Sequence, residues 1–410
     1  MTEQTNLLPK RRFKEFQNSG HWEQQIFSAI VTRVSTTGEE NILPRLEYED
    51  VVSGFGKLNK NIFLKESQKK GIEFEPGDVL YGKLRPYLQN WLLADFKGIA
   101  VGDWWVLRPN GIKSSFIYSL IQSNKYQTVA NLSAGTKMPR SDWNIVGGTD
   151  FMVPTASFEQ TKIGDFFETL DHFITLQQRK LEKTKALKAA YLTEMFPAED
   201  EVVPKRRFAG FTEDWEERSF FENVKNTIDF RGRTPKKLGL EWSTTGYLAL
   251  SALNVKNGYI DFSVDNHYGN QELYDKWMTG RELKKGQVLF TTEAPMGNVA
   301  QVPDNKGYIL SQRTIAFEVN PEKITNDFLA SLLCSPKVFA ELSALSSGGT
   351  AKGVSQKTLS QLKVKVPKNL EEQFKIGTLL NEINRLITLH EHKLEKLQNL
   401  KKAYLHEMFV

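Results

Sequence analysis

The chain has 410 residues, of which 40% are hydrophobic and 25% charged, and its formal net charge is +5. This is the composition of a folded globular protein, and the length suits two domains better than one core. The single cysteine, Cys334, excludes an intramolecular disulfide, and no run approaches the roughly 18–20 apolar residues of a membrane-spanning helix. Because residues 1–16 also lack the apolar stretch of a signal peptide, we expect a cytoplasmic protein.

Residues 1–153 are predicted to form a first domain of short strands, turns and a short helix. Apolar runs at 79–81, 99–101 and 104–107 predict strands, and 116–123 predicts a helix. This pattern is α+β, without a regular βαβ alternation. Several cations of this domain fall in predicted loops and are candidates for contacting an anionic polymer: Arg45, Lys83, Arg85, Lys137 and Arg140.

Residues 154–196 are predicted to form one long helix, followed by an acidic linker at 197–204. At about 1.5 Å per residue, a helix over 158–195 is roughly 57 Å long. Its apolar residues recur at alternating spacings of three and four, which is typical of a coiled-coil seam: Phe167, Leu170, Ile174 and Leu181.

Residues 205–366 predict a second domain, with strands at 287–291 and 314–319 and a helix at 328–335. Its loops are richer in cations and amides, side chains that form paired hydrogen bonds with base edges or contact phosphates. The candidates are Arg231, Arg233, Lys236, Lys237, Asn254, Lys256, Arg313, Thr350 and Lys352.

Residues 367–410 predict a second long helix, and this segment repeats the first. Residues 366–409 align with 153–196 without a gap, with 22 identities over 44 positions. The predicted seam of the second helix consists of Leu380, Ile383, Ile387 and Leu394. The segment Pro9-Lys-Arg-Arg-Phe13 is also repeated, as Pro204-Lys-Arg-Arg-Phe208. Two copies of about 200 residues indicate two homologous domains, because a solenoid needs at least three short repeats.

The positive charge is concentrated on the two domains. Residues 158–196 and 370–410 each carry six cationic and six acidic side chains, and the linker carries three acids. The remaining residues therefore hold a net charge of +8, the distribution that phosphate binding requires.

Signatures of catalysis are missing from the sequence. The segment Gly54-Phe-Gly56-Lys57 is not a phosphate-binding loop, because Leu58 stands where serine or threonine is needed. There is no Asn/Asp-Pro-Pro-aromatic motif of an adenine methyltransferase. His390 and His392, two apart on a helix, point to different faces and cannot share a metal. We expect neither catalytic residues nor a metal site in this chain.

The chain resembles the specificity subunit of type I restriction–modification systems over essentially all of its length. The most specific motifs open and close the repeated helices: Glu159-Gln160-x-Lys162-Ile163-Gly164 with Glu372-Gln373-x-Lys375-Ile376-Gly377, and Tyr191-Leu-x-Glu-Met-Phe196 with Tyr404-Leu-x-Glu-Met-Phe409. Two further features match the family. They are the openings of the two domains, with Phe16 and Trp22 in the first and Phe211 and Trp215 in the second, and the pairs Gly135-Thr136 and Gly349-Thr350.

The resemblance implies an α+β protein with two homologous target-recognition domains, separated by two spacer helices that pair as a pseudo-two-fold antiparallel coiled coil. Each domain would recognise one half of a bipartite, asymmetric site in double-stranded DNA, and the helices would set the gap between the halves. Two methyltransferase subunits would supply S-adenosylmethionine chemistry, and two restriction subunits would use ATP and Mg²⁺. The resemblance implies no cofactor in this chain.

Two other interpretations remain open from the sequence. One is a self-sufficient DNA methyltransferase or nuclease with degenerate motifs, which would act on DNA without partner subunits. The other is a tandem adaptor with a coiled-coil spine and no affinity for DNA, whose binding would not depend steeply on salt.

Overall fold

The computed structural model describes residues 8–38, 42–64, 67–132, 137–264, 266–346 and 353–409. Two compact units are present: unit 1 comprises Met1–Gln178 and Lys393–Val410, and unit 2 comprises Arg179–His392. The predicted boundaries at 153, 204 and 366 follow the sequence repeat, whereas the units follow spatial contacts. Each unit therefore contains one α+β domain and a part of both long helices.

Unit 1 is built from short strands and helices. In chain order they are β1 (Glu23–Ile26), α1 (Phe27–Ile30), β2 (Val31–Val34), β3 (Thr37–Gly38), β4 (Arg45–Leu46), β5 (Val51–Val52), β6 (Lys57–Leu58), β7 (Gly71–Phe74), β8 (Val79–Gly82), β9 (Trp91–Leu93), β10 (Gly98–Ala100), β11 (Trp104–Pro109), α2 (Ser114–Leu120), α3 (Asn124–Ala130), α4 (Trp143–Gly147), β12 (Asp150–Val153) and the first part of α5 (Ser157–Glu194). The strands predicted at 79–81, 99–101 and 104–107 and the helix at 116–123 are confirmed as β8, β10, β11 and α2.

Residues 104–107 of strand β11 are buried on both faces, which explains this uninterrupted apolar run. Alternate side chains of a strand point to opposite sides. Trp105 and Leu107 accordingly enter one core with α2 and α5, whereas Trp104 and Val106 enter a second core with β4 and β7. The sheet β2-β11-β8-β9 therefore separates the two cores of unit 1.

Unit 2 contains, in chain order, β13 (Glu216–Ser219), α6 (Phe220–Asn223), β14 (Val224–Asp229), β15 (Tyr247–Leu250), β16 (Val255–Lys256), β17 (Tyr259–Ile260), β18 (Tyr268–Gly269), α7 (Gln271–Met278), β19 (Val288–Thr291), β20 (Val299–Gln301), β21 (Tyr308–Leu310), β22 (Thr314–Val319), α8 (Asn326–Leu333), α9 (Pro336–Leu345), α10 (Gln356–Gln361), β23 (Lys363–Val366) and most of α11 (Leu370–Met408). The predicted strands at 287–291 and 314–319 and the helix at 328–335 are confirmed.

The two domains share a large part of their topology, although the second sheet has four strands in unit 1 (β3-β7-β10-β4) and three in unit 2 (β18-β15-β21). The sheet β2-β11-β8-β9 of unit 1 has its counterpart in β14-β22-β19-β20 of unit 2, and the antiparallel pair β1-β12 in β13-β23. A parallel pairing recurs as well, between β4 and β10 and between β15 and β21. The sequence repeat in the helices therefore extends to domains whose sequences have diverged.

A buried ion pair attaches each long helix to its domain. In unit 1, Arg12 donates Nε and Nη2 to the two carboxylate oxygens of Glu159 at 2.6 and 2.7 Å, and Trp22 Nε1 donates to the same carboxylate at 3.2 Å. Arg207, Trp215 and Glu372 repeat this arrangement in unit 2. The repeated openings and the repeated glutamates thus form one interaction.

Two helical glycines allow the close approach that this attachment needs. A Cβ on Gly164 would lie 2.1 Å from Ser115 Oγ, and one on Gly377 would lie 2.6 Å from Asp327 Cβ. Both distances are shorter than any van der Waals contact, so α5 reaches the start of α2, and α11 the start of α8, only without a side chain. The Lys-Ile-Gly motif is explained by packing inside each unit.

The long helices contact each other within both units and run antiparallel. In unit 1, Phe166 near the start of α5 meets Tyr404 near the end of α11 edge-on, with ring centroids 5.0 Å apart. In unit 2, Lys185 pairs with Glu391 at 2.6 Å, and Leu192 near the end of α5 shares a core with Ile376 near the start of α11.

The predicted seam residues are buried to different degrees. Phe167, Leu170, Ile174, Leu181, Leu380 and Ile383 are buried, and Ile387 and Leu394 are half-buried. Phe167 and Leu170 also belong to the core of unit 1, and Leu380 and Ile383 to that of unit 2. Ile387 packs against the core of unit 2 as well, so five of the eight contact a domain core, a role that the heptad spacing did not predict.

A second, largely buried ion pair joins the two helices in unit 1. Lys401 Nζ donates to Asp171 Oδ1 and to Gln122 Oε1, both at 2.6 Å. Burial raises the pKa of Asp171, while the charges of Lys401 and Lys57 oppose that rise. The residue at the repeat position of Asp171 in unit 2 is Asn384, so the corresponding position in unit 2 has an amide where unit 1 has a carboxylate.

Replacing Glu159 by alanine is expected to lower the free energy of unfolding by about 3–5 kcal/mol, because the buried guanidinium of Arg12 loses its counter-ion. Urea denaturation measures the change. Glu407→Ala is the matched control, since it removes a carboxylate from the exposed Arg11–Glu407 pair, and it should have little effect. Equal losses for the two variants would contradict this account.

Lys401→Met should destabilise the protein by roughly 3 kcal/mol at neutral pH, because Asp171 stays buried without its cation. The folded-state pKa of Asp171 is then raised further above its unfolded value. Stability should therefore be best retained below the unfolded pKa and lost as pH rises through the folded-state pKa. Urea denaturation between pH 4 and 8 tests this, and adding Asp171→Asn should restore stability and flatten the pH profile.

Candidate nucleic-acid interface

Four of the five cations predicted in the first domain lie on two neighbouring loops, at 83–89 and 137–141. The backbone N–H of Arg85 donates to Pro139 O, and that of Ser141 donates to Lys83 O, both at 2.8 Å. These bonds bring Lys83 and Arg85 beside Lys137 and Arg140. We call residues 83–89 and 137–141 the cationic loop pair.

One carboxylate partly neutralises the cationic loop pair. Asp103 lies 3.1 Å from Arg140 Nη2 and 3.6 Å from Lys83 Nζ, and its hydrogen bond with Arg140 raises the pKa of that guanidinium. Within the part of the chain that the structure describes, neither Arg85 nor Lys137 has an ion pair. The loops therefore keep an excess of positive charge.

The prediction for Arg45 requires a correction. Its side chain is only 1% exposed, and Nη1 donates to Leu43 O at 2.6 Å. It extends from β4 and donates hydrogen bonds to the backbone carbonyl groups of Leu43 and Lys69, which a buried guanidinium needs as acceptors. Arg45 is a structural residue and is removed from the interface.

Unit 2 has the same loop scaffold with different side chains. Thr292 N donates to Arg313 O at 2.8 Å and Val354 N to Thr292 O at 2.9 Å, matching the bonds of Lys83 with Asp103 and of Ser141 with Lys83. Arg313 thus occupies the place of Asp103. Its side chain is 53% exposed, and its Nε lies 3.4 Å from Glu293 Oε1.

The segment after β14 places two further predicted arginines in different surroundings. Arg231 forms an ion pair with Asp229, and that hydrogen bond raises the pKa of Arg231. Arg233 lies over the ring of Phe230 at 4.2 Å and donates to Trp277 O at the end of α7. Arg231 is neutralised by its neighbour, whereas Arg233 is not.

Arg281 was missed from the sequence and lies beside Arg233. Its guanidinium lies over the same Phe230 ring at 5.0 Å. Burial, and then the charge of Arg281, lowers the pKa of Arg233. Like charges repel, so this pair favours an anion between or above the two groups. No sequence signal could have found it, because the turn after α7 brings together residues 48 positions apart.

Two exposed lysines extend this positive surface. Lys236 and Lys237 lie on the 3₁₀ turn Pro235–Leu238, which packs against α7, and Lys237 Nζ donates to Gly232 O at 2.7 Å. We call Arg233, Lys236, Lys237 and Arg281 the Arg233 cluster. Lys256 is half-buried on the separate hairpin β16–β17.

The prediction for Asn254 also requires a correction. The side chain is fully buried, its Oδ1 accepts hydrogen bonds from Ser251 N at 3.1 Å and Oγ at 2.9 Å, and its Nδ2 donates to Asn266 Oδ1 at 3.2 Å. With both ends of the amide occupied, it has no free group for a base edge. Asn254 shapes the loop before β16.

The predicted phosphate-contacting residues Thr350 and Lys352 lie outside the described residues, as do the pairs Gly135-Thr136 and Gly349-Thr350.

The part of the chain that is described holds no group of three or more His, Cys, Asp or Glu side chains suited to a metal ion. Burial raises the pKa of the Cys334 thiol to about 11, so it is protonated and unreactive at neutral pH.

No single helix among the described residues is long and apolar enough to cross a membrane. One pair of consecutive helices, Asn326–Leu333 and Pro336–Leu345, meets the length and composition together but bends by 65°.

Comparison with known proteins identifies relatives of this architecture. The family model of the type I restriction modification DNA specificity domain matches residues 213–399. The type I restriction enzyme MjaVIII specificity subunit of Methanocaldococcus jannaschii is 24% identical over 365 residues, which cover 86% of this chain and 81% of that protein. The crystal structure of the type I restriction–modification S subunit from M. genitalium has the same fold, with a TM-score of 0.67 at 13% identity, covering 98% of this chain and 99% of that one.

Phosphate binding by the Arg233 cluster is tested with duplex DNA as the polyanion. Arg281→Gln should reduce the slope of log affinity against log salt concentration by about one, because one phosphate contact is lost. Lys276→Gln is the matched control: it removes a nearby cation that is already paired with Glu272 at 2.7 Å, and the slope should not change. An unchanged slope for Arg281→Gln would exclude the cluster from the interface.

Proposed function

We propose that the chain is a DNA specificity subunit of a type I restriction–modification system, which the family model over residues 213–399 and the specificity-subunit relative support, and that each unit recognises one half of a split, asymmetric DNA target. The chain is the recognition subunit and not the catalyst.

The proposal rests on the equivalent loops of the two units. The same backbone hydrogen bonds hold Lys83 beside Asp103 in unit 1 and Thr292 beside Arg313 in unit 2. A common scaffold with different side chains presents different donors and acceptors to base edges, and the pattern of donors and acceptors is what distinguishes base pairs in the major groove. Two such units therefore recognise two different sequences.

Phosphate contacts and base contacts are assigned to different residues. In our proposal, Lys83, Arg85, Lys137 and Arg140 in unit 1 and the Arg233 cluster in unit 2 hold the DNA backbone, which fixes position without specifying sequence. Arg231, Arg313 and Lys256 are the candidates in unit 2 for base contacts. Arg231 and Arg313 are each held by a carboxylate, which orients a guanidinium toward a fixed point.

The long helices are proposed to hold the catalytic partners. Two methyltransferase subunits, using S-adenosylmethionine, would each dock on one of the two repeated helix attachments, because a repeated surface accepts two copies of one protein. Restriction subunits using ATP and Mg²⁺ would join this complex in the cytoplasm. An adaptor without DNA affinity is not favoured, since it offers no reason for the cationic loops.

Exchanging residues 205–365 for the corresponding segment of another family member should change one half of the recognised sequence and leave the other half unaltered. The measurement is the pattern of methylated adenines across a genome in cells that co-express the chain with its methyltransferase subunit. The reciprocal exchange of residues 1–152 is the control and should change only the other half. Alteration of both halves by one exchange would contradict independent recognition, and methylation without a partner subunit would favour a self-sufficient enzyme.

A further inference from the structure

The cationic loop pair presents apolar side chains to solvent. The 3₁₀ turn Pro86–Leu88 exposes 58% of Tyr87 and 39% of Leu88, and the neighbouring loop exposes 51% of Met138. Large apolar side chains are ordinarily buried, and three on adjoining loops form a patch that suits a partner. The patch consists of Tyr87, Leu88 and Met138.

The turn that carries Tyr87 is held in place from several sides. Arg85 and Gln89, which flank it, have φ angles of 49° and 56°, in the left-handed region that residues other than glycine rarely adopt. Leu88 N donates to Arg85 O at 2.8 Å, and Gly54 N donates to Gln89 O at 2.9 Å. Unfavourable backbone angles persist where surrounding contacts impose them, and such sites are enriched in functional positions.

The charges around the patch identify the chemistry of its partner. The same two loops carry the cations Lys83, Arg85, Lys137 and Arg140. Asp103 forms ion pairs with Lys83 and Arg140. An apolar surface inside a group of cations complements a ligand that has apolar groups between two rows of anions. Duplex DNA has that arrangement in its major groove, where base edges and thymine methyl groups lie between two phosphate backbones.

The equivalent turn of unit 2 lacks this feature. Met296 follows Pro295 there as Tyr87 follows Pro86, but it is half-buried against the core of that unit. The next residue is Gly297, with φ of 89°. The exposed aromatic side chain is therefore a property of unit 1 and not of the shared fold.

We propose that Tyr87, supported by Leu88, makes a direct apolar contact with bases in the half-site of unit 1, while the surrounding cations hold the flanking phosphates. This inference rests on the proposed function and assigns a specificity-determining residue to one of its two sites. The contact involves the ring of Tyr87, so it contributes to affinity for the correct sequence and adds nothing to the salt dependence.

The test uses the complex with the methyltransferase subunits and two duplexes, one carrying the mapped target and one with the half-site of unit 1 scrambled. Tyr87→Ala should weaken binding to the target by about ten- to a hundredfold, as expected for the loss of one base-specific contact in a duplex. Binding to the scrambled duplex and the slope of affinity against salt should stay unchanged. Genome-wide methylation should become less selective in one half-site only.

Three variants separate the possible causes. Tyr87→Phe keeps the ring and should bind like the original chain, and a loss equal to that of Tyr87→Ala would overturn the ring contact in favour of the hydroxyl. Lys137→Gln should reduce the salt slope by about one while preserving selectivity. Phe63→Ala removes an aromatic ring that is 60% exposed outside both the cationic loop pair and the long helices, and should change nothing.

Two further outcomes would also overturn the inference. If Tyr87→Ala binds both duplexes as the original chain does, or loses a protein from the purified complex while DNA binding is intact, the patch does not contact bases. If the original complex itself fails to distinguish the two duplexes, the proposed division of recognition is wrong, and this inference fails with it. The behaviour of the unaltered complex therefore separates the two failures.

Discussion

The structure depends on the buried attachment of each long helix to its domain. A guanidinium and an indole N–H converge on one carboxylate, Glu159 in unit 1 and Glu372 in unit 2, and both carboxylates are 1% exposed. A buried carboxylate is stable only when its hydrogen-bonding capacity is met. This requirement links the start of each domain to the helix that follows it, more than 130 residues later in the sequence. The hydrogen bonds to the carboxylate also fix the orientation of the helix, because hydrogen bonds are directional and the burial of apolar area is not.

This attachment explains why the repeat is clear in the helices and faint in the domains. A helix that must present a carboxylate, an amide and a glycine at fixed positions tolerates few substitutions. The loops farther along each domain carry no such constraint, because backbone hydrogen bonds hold them whatever their side chains are. Thr292 and Arg313 in unit 2 can therefore stand where Lys83 and Asp103 stand in unit 1. A rigid frame with exchangeable loops is suited to a subunit that recognises different sequences.

The helix pairing combines apolar and polar contacts. Phe166 and Tyr404 pack edge-on in unit 1, and Lys185 pairs with Glu391 in unit 2. In unit 1 the helix contact includes the ion pair of Lys401 with Asp171, whereas the repeat position in unit 2 is Asn384, an uncharged amide. Buried polar pairs of this kind favour one register over alternatives, because a shifted helix would leave the charges unpaired.

The sequence by itself determined the repeat, the α+β class, the two long helices and the resemblance to a family, because these depend on periodicity and on motifs that are contiguous along the chain. Which side chains are available to a ligand was decided only by the tertiary structure. Arg45 and Asn254 have the right chemistry for DNA but satisfy buried polar groups, whereas Arg281 and Tyr87 carried no signal in the sequence. Exposure and charge pairing arise when segments distant in sequence meet. The amino-acid sequence shows which side chains are present, but it does not show which other side chains surround them in the folded protein.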